Sequence, residues 1–274
     1  MTVDHLMRGK APITAEAWEE IDSEARRSLT NYLAARKLID FSGPHGWDFS
    51  AVASGRVGPA ENLQGGSVRA RPRLTRPVVE VRTPFTLQRD ELDAITRGAC
   101  DADLDPVIEA ARQAAQAEDL MVFHGLGSAG VVGITDASPH DKVMISNDYA
   151  AYPGHAADAI AMMREAGVEG PWGIALGPRC YAGVMQQSEA GGYPVLKHLQ
   201  LILEYGPVVF APAIDGAVVV SQRGGDFELV CGQDFAVGYL DHDADSVQLY
   251  VEETIAARIC SPEAAVHLAY PDNA

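Results

Sequence analysis

Basic charge, paired cysteines and long apolar runs are what this sequence lacks. Lysine and arginine number 21 against 38 aspartates and glutamates in 274 residues, a net charge of −17. Phosphate backbones and anionic bilayers are held by clustered cations, so this balance argues against binding to nucleic acid or to a membrane. It also makes identical subunits repel, except where packing, a local basic patch or screening over ~8 Å overcomes the field. The four cysteines, at 100, 180, 231 and 260, include no C-x-x-C pair. That spacing suits neither a zinc site nor a secreted disulfide framework, and it predicts buried, reduced thiols. No apolar run approaches the ~20 residues of a membrane span. The opening MTVDHLMRGKAPIT has no signal-peptide core, so the expected location is the cytoplasm.

Catalytic signatures are missing as well. The eight histidines form no H-E-x-x-H, and there is no G-x-S-x-G elbow or Walker loop. GLGSAG at 125–130 has the letters of a dinucleotide loop, but a helical pattern precedes it and none follows, the reverse of what a pyrophosphate site needs. DHDAD at 241–245 lacks the glycine and final glutamate of a calcium loop and reads as a polar turn. RGGDF at 223–227 resembles a diguanylate-cyclase signature without its second acidic residue, so Gly224 and Gly225 read as a hairpin turn. No catalytic residue, metal site or cofactor is expected.

What is present is ordinary globular composition, 47% apolar and 22% charged, with enough chain for one large domain or two intimate ones. Thr14 is placed to cap a helix running from Ala15 to Leu38, with Trp18, Ile21, Ala25, Leu29 and Tyr32 at steps of three and four and Leu33 widening the stripe. Such a stripe serves either as core packing or as a groove for a partner. Two extended segments around a Gly-rich tip predict a protruding hairpin, on which Arg69, Arg71 and Arg73 share a face. Prolines 72, 77 and 84 keep it at an edge or isolated. Its arginines face either an acidic neighbour or solvent. The stretch 105–124 predicts an alanine-rich helix with Asp105 as cap, Pro106 at its first position and Gly125 beyond its end. From Pro153 onward helices and strands mix, and Phe235, Val237 and Tyr239 alternate onto one strand face.

The blocks APITAEAWEEIDSEARRSLTNYLAARKLIDFSGPHGWDFSAVASGRV, RTPFTLQRDELDAITRGACDADLDPV, EGPW, GGYP, APAIDGAVVVSQRGGDFELVCGQDFAVGYLDHDAD and LYVEETIAARICSPEA, in this order, closely resemble the family 1 encapsulins. These are bacterial and archaeal shell proteins, earlier labelled linocin-like bacteriocins. The resemblance covers nearly the whole chain. It implies an α+β chain with the Hong Kong 97 bacteriophage major-capsid fold, closing into an icosahedral nanocompartment of about sixty copies at the simplest. The implied partner is a cargo enzyme with a C-terminal targeting peptide, a dye-decolourising peroxidase or a ferritin-like protein. The implied division is 1–45 as N-terminal helix and inner wall, 46–87 as extended loop, and 88–127 as peripheral domain with its spine helix. Residues 128–203 form the axial domain, and 204–274 return through both.

On the same resemblance, Leu29, Leu33, Arg36 and Asp40, with Asp234 and Phe235, form the cargo-peptide groove. Leu29, Leu33 and Arg36 are spaced to share a helix side, but only the resemblance turns that side inward. Gln186, Gln187, Ser188, Glu189, Ala190, Gly191, Gly192 and Tyr193 would line a five-fold pore. Arg69, Arg71 and Arg73 would lie in the arm that laps a neighbouring subunit. The start MTVDHLMRGK departs from the short, more basic start usual in the family. Competing readings are a true phage capsid protein and a soluble peptidase or bacteriocin-like enzyme.

Overall fold

A computed structural model describes residues 5–63 and 67–271. Three helices come first: α1 (Ala15–Tyr32), α2 (Arg89–Thr96) and α3 (Asp105–His124). The expected caps hold in part. Thr14 Oγ1 accepts from the Ala17 amide at 3.3 Å, closing the first turn of α1. Asp105 is not the cap of α3 but its first residue. The Asp103 carboxylate accepts from the Asp105 N–H at 3.0 Å, so capping moves upstream.

These helices cover a sheet in which Ser246–Ile259 is central. Val79–Gln88 flanks it antiparallel on one side, while Phe227–Cys231 and Ala236–His242 follow one another along the other. Asp40–Ser42 adds a short parallel strand beside Phe227–Cys231. The core between helices and sheet joins Ile21 and Leu29 of α1, Val107 and Ala114 of α3, and Leu87, Val237 and Leu249 of the sheet. Small alanines on α3 bring the helix backbones close, as its composition predicts. Phe235, Val237 and Tyr239 all meet this core, in keeping with their alternation.

A second sheet runs in the order Val208–Phe210, Trp172–Leu176, Ala217–Ser221, Ala265–Ala269, Val143–Met144. Around it lie α4 (Ile134–Ala137), α5 (Tyr152–Glu165), α6 (Pro178–Gln186) and α7 (Val195–Ile202). Every residue of Trp172–Leu176 and Ala217–Ser221 is buried, as central strands covered on both faces require. The last turns of α3 enter this second core through Met121, Val122 and Phe123. One helix is therefore common to both cores.

The arm leaves the body between the first two helices. Ala51–Val57 pairs with Arg73–Pro77, and Glu61–Asn62 with Arg69–Ala70, and neither ladder joins a large sheet. The glycine tip, residues 64–66, lies outside the described residues. The Gly224–Gly225 turn is not a hairpin: it carries the chain from the second sheet to the first. Both glycines sit at φ 81°, which a side chain would oppose. The turn is held by Arg223 on the buried Asp226 at 2.8–2.9 Å and by Asp40 Oδ2, which accepts from the Gly225 amide at 2.5 Å. Asp243–Asp245 does form a polar turn, its Asp243 carboxylate accepting from the Asp245 and Ser246 amides. GLGSAG closes as a two-residue ladder, Gly125–Leu126 against Val131–Val132. Cys180 and Cys231 are buried, but Cys100 and Cys260 are exposed, against expectation, because both stand in connections outside the sheets and helices.

Candidate functional site

α1 stops at Tyr32 rather than running to Leu38. Asp119, buried on α3, accepts from the Ala34 amide at 3.0 and 3.1 Å and from the Ala35 amide at 2.8 Å. Those N–H groups are thereby withheld from further helical bonds, and the chain turns at Leu33, whose ψ of 112° is extended. Leu29, Leu33 and Arg36 thus do not share a continuous helix side. A helical end, a turn and the short 3-10 segment Ala35–Lys37 bring them together instead.

The opposite wall is a break in the first sheet. Cys231 pairs with Ile255 and Ala236 with Glu252, so Gly232–Phe235 stand against Glu253 and Thr254 alone. Thr254 fastens this bulge: its carbonyl accepts from Gly232 N at 2.8 Å, and its N–H donates to Gln233 O at 2.9 Å. Its hydroxyl accepts from Gln233 N at 2.7 Å. Bulges re-aim side chains out of a ladder, and here Asp234 and Phe235 reach Arg36.

Arg36 is the centre of the site. Its Nε donates to both Glu118 oxygens at 3.0 and 2.8 Å, and Nη2 to Glu118 Oε2 at 2.6 Å and Glu253 Oε2 at 3.1 Å. Nη1 donates to Asp234 Oδ1 at 2.8 Å. The guanidinium lies 4.6 Å from the Phe41 ring centre and 5.0 Å from that of Phe235. Burial works against its charge, and the carboxylates more than offset this, so Arg36 stays charged. Glu118 and Glu253 are wholly buried. Desolvation raises the pKa of both, and for Glu253 the nearby Glu118 raises it further. Burial likewise lifts Asp119 to about 7, against the pull of its two backbone donors.

Between α1 and the bulge lies an open groove of about 420 Å³. Ala25, Leu29, Leu33, Val237 and Val251 make its apolar floor, and Arg8, Asp22, Arg26, Arg36 and Asp234 its charged rim, with Phe235 between. Five of the six expected groove residues therefore meet in one place. Asp40 stands apart, lining a smaller pocket with Gln222 and Gly224, where it holds the glycine turn. Arg8 was not foreseen. It forms a two-bonded pair with Asp22 at 3.1 and 2.7 Å and lies over Trp18 at 4.0 Å, so the N-terminal segment builds one edge of the groove. Glu118, Asp119 and Glu253 were also missed. Their only sequence signal is acidic residues interrupting runs that are otherwise apolar.

Residues 3–256 match the family model described as an encapsulating protein for peroxidase (Linocin_M18). A type 1 encapsulin shell protein of Rhodospirillum rubrum is 51% identical over 271 residues, spanning 97% of this chain and 96% of the relative. The chain belongs to the encapsulin shell-protein family. The shell protein of Mycobacterium tuberculosis is 39% identical over 98% of this encapsulin and 100% of its own length. In fold, a virus-like particle from Pyrococcus furiosus aligns with TM-score 0.67 at 20% identity, covering 93% of this chain and 100% of that one. The capsid protein of the myovirus XM1 aligns at 0.53 and 14%, covering 86% and 91%. The encapsulin thus has the capsid-like α+β fold with peripheral domain, axial domain and extended loop, and is a shell component that assembles into multimeric particles rather than an enzyme.

The encapsulin's loop after α6 is tied to itself. Glu189 N donates to Tyr193 O at 2.8 Å, and the Gly191 and Gly192 amides donate to Glu189 O at 2.9 Å. Gln186, Gln187, Ser188, Ala190, Gly191, Gly192 and Tyr193 are exposed. Glu189 is half-buried, its Oε1 2.5 Å from His198 Nδ1 on α7, so its carboxylate has a hydrogen-bond partner within the subunit. On the arm, Arg69, Arg71 and Arg73 are all exposed, but the ladder breaks between Ala70 and Arg73 and their alternation is not continuous. Arg71 Nε donates to Gly58 O at 3.3 Å, and none of the three has an ion pair among the described residues.

Proposed function

We propose that the chain builds an icosahedral cytoplasmic nanocompartment, about sixty copies at the simplest, around a cargo enzyme. The cargo is a dye-decolourising peroxidase or ferritin-like protein whose C-terminal tail docks in the groove between α1 and the Gly232–Phe235 bulge. The observation that carries this reading is the groove itself, which has an apolar floor, a charged rim and an open mouth in a shell subunit. A buried apolar anchor contributes ~1.5–3 kcal/mol, so one tail binds modestly and an oligomeric cargo gains by multivalency. The division at residues 45, 87, 127 and 203, the pore formed by residues 186–193, and contacts between the arm and a neighbour belong to the same proposal.

Leu33 is a poor place to test it. It is 9% exposed and packed in the core, so a carboxylate there would damage the subunit as well as the groove. Phe235 is half-buried and faces the groove. Shells purified from the native host and read by mass spectrometry identify the cargo. Co-expression of that cargo with F235A shells is expected to give intact but depleted particles. Undiminished loading, both in F235A and with the cargo tail removed, would refute the proposal.

A further inference from the structure

We propose that the groove is proton-linked: a proton shared by Glu118 and Glu253 keeps the Gly232–Phe235 bulge closed on Arg36, and its loss with rising pH loosens the groove. The link to cargo rests on the reading above, and the proton switch itself does not.

Two wholly buried carboxylates share one guanidinium, which also carries Asp234. Among the described residues, Glu253 Oε1 is buried with no donor. Both glutamates ionised would leave buried charge uncompensated, whereas one proton lets the pair hydrogen-bond to each other. The other groups at this junction are known. α3 supplies Asp119, the turn supplies Lys37, and the strand end before the bulge supplies the buried Cys231 thiol, pushed up to about 12 chiefly by burial. Lys37 Nζ is engaged with Thr30 O at 3.1 Å, so among the described residues Arg36 is the cation that contacts the pair. Neighbouring Glu252 belongs to the other strand face and pairs with Arg82.

A carboxyl whose pKa is higher folded than unfolded contributes fully below the unfolded value of about 4.3, and the contribution is lost as pH rises through the folded value. Both glutamates are shifted upward, so closure is strongest on the acid side and weakens toward alkaline pH. Asp119 acts in the same direction, since its window ends at about 7. When the proton leaves, the more exposed Asp234 is repelled by the buried pair and carries Phe235 with it. A tail lying on Phe235 removes water from this edge, which favours the protonated pair. Docking and proton uptake therefore reinforce each other, by reciprocity.

The test is hydrogen–deuterium exchange of intact shells, empty and cargo-loaded, at about pH 6 and about pH 9, corrected for the intrinsic rate. One proton released on opening changes the opening equilibrium by up to about tenfold per pH unit. In empty wild-type shells, exchange at residues 233–237 is expected to rise about tenfold or more. E253Q shells are expected to show a much smaller rise, because the amide keeps a donor at the site permanently and only the Asp119 share of the loss remains. E118Q gives the same reduction if E253Q fails to assemble. A flat wild type, or an equal rise in both variants, would overturn the switch whatever the cargo does. Loaded shells are expected to open less than empty ones. Equal opening would overturn the coupling, and F235A loading tests the groove assignment separately.

Discussion

Replacing Arg36 with methionine removes the cation and keeps much of its length. The five hydrogen bonds to Glu118, Glu253 and Asp234 disappear together, and two buried carboxylates lose their counter-charge. Breaking a buried pair from one side costs about 3–5 kcal/mol. Summing the bonds one by one would give more, but the carboxylates take up protons and recover part of the loss. At about 2–4 °C per kcal/mol for chains of this size, melting should fall by about 6–20 °C. Calorimetry of assembled shells at matched subunit concentration measures this, since assembly itself contributes to the midpoint. The deficit should be smaller at pH 5 than at pH 8, because protonation relieves the orphaned charges. The double variant R36M/E118Q should recover part of it. A drop below about 2 °C, or a deficit that grows as pH falls, would refute the reasoning.

Three other outcomes are expected, the first from the geometry and the last two from the proposed arm contacts and pore. D119A strands the Ala34 and Ala35 amides, at about 1–3 kcal/mol for each unsatisfied group, while D119N keeps one acceptor and should lose less; thermal melts of the two variants give the ordering. Changing Arg69, Arg71 and Arg73 together to glutamate should lower assembly yield, by light scattering, with far-ultraviolet circular dichroism unchanged. Surface pairs are worth only ~0–1 kcal/mol each but recur in every subunit, and unchanged yield would assign the arginines to solvent. Deleting Ser188 to Gly191 should quicken stopped-flow entry of small charged solutes without dissolving the shell, and equal rates would put the passage elsewhere.

Local chemistry was legible from the sequence where one residue type has one job. Thr14 caps α1, Gly125 ends α3, and the alternation of Phe235, Val237 and Tyr239 marks a core-facing strand. The groove was legible only through the block resemblance. Periodicity carried α1 six residues too far, because a carboxylate 85 positions away in the chain captures the Ala34 amide. The same blindness hid Glu118 and Glu253, since nothing local says which buried acid will meet Arg36. Gly224–Gly225 looked like a hairpin because two glycines specify a turn but not which sheets it joins. Asp40 was separated from the groove for a related reason: it enters a strand beside Phe227–Cys231 and its carboxylate is taken by the distant Gly225 amide.

Helix α3 has a consequence for curvature. Its first turns are embedded in one close-packed core and its last in the other. Changing the angle between the two bodies would mean opening one of those cores, and packed interiors resist such deformation. Each subunit therefore enters the lattice as a stiff tile of fixed outline. The radius of the closed particle is then set by the angles at which tiles abut, and a change of shell size would be sought at their edges and in the arm, not inside the tile.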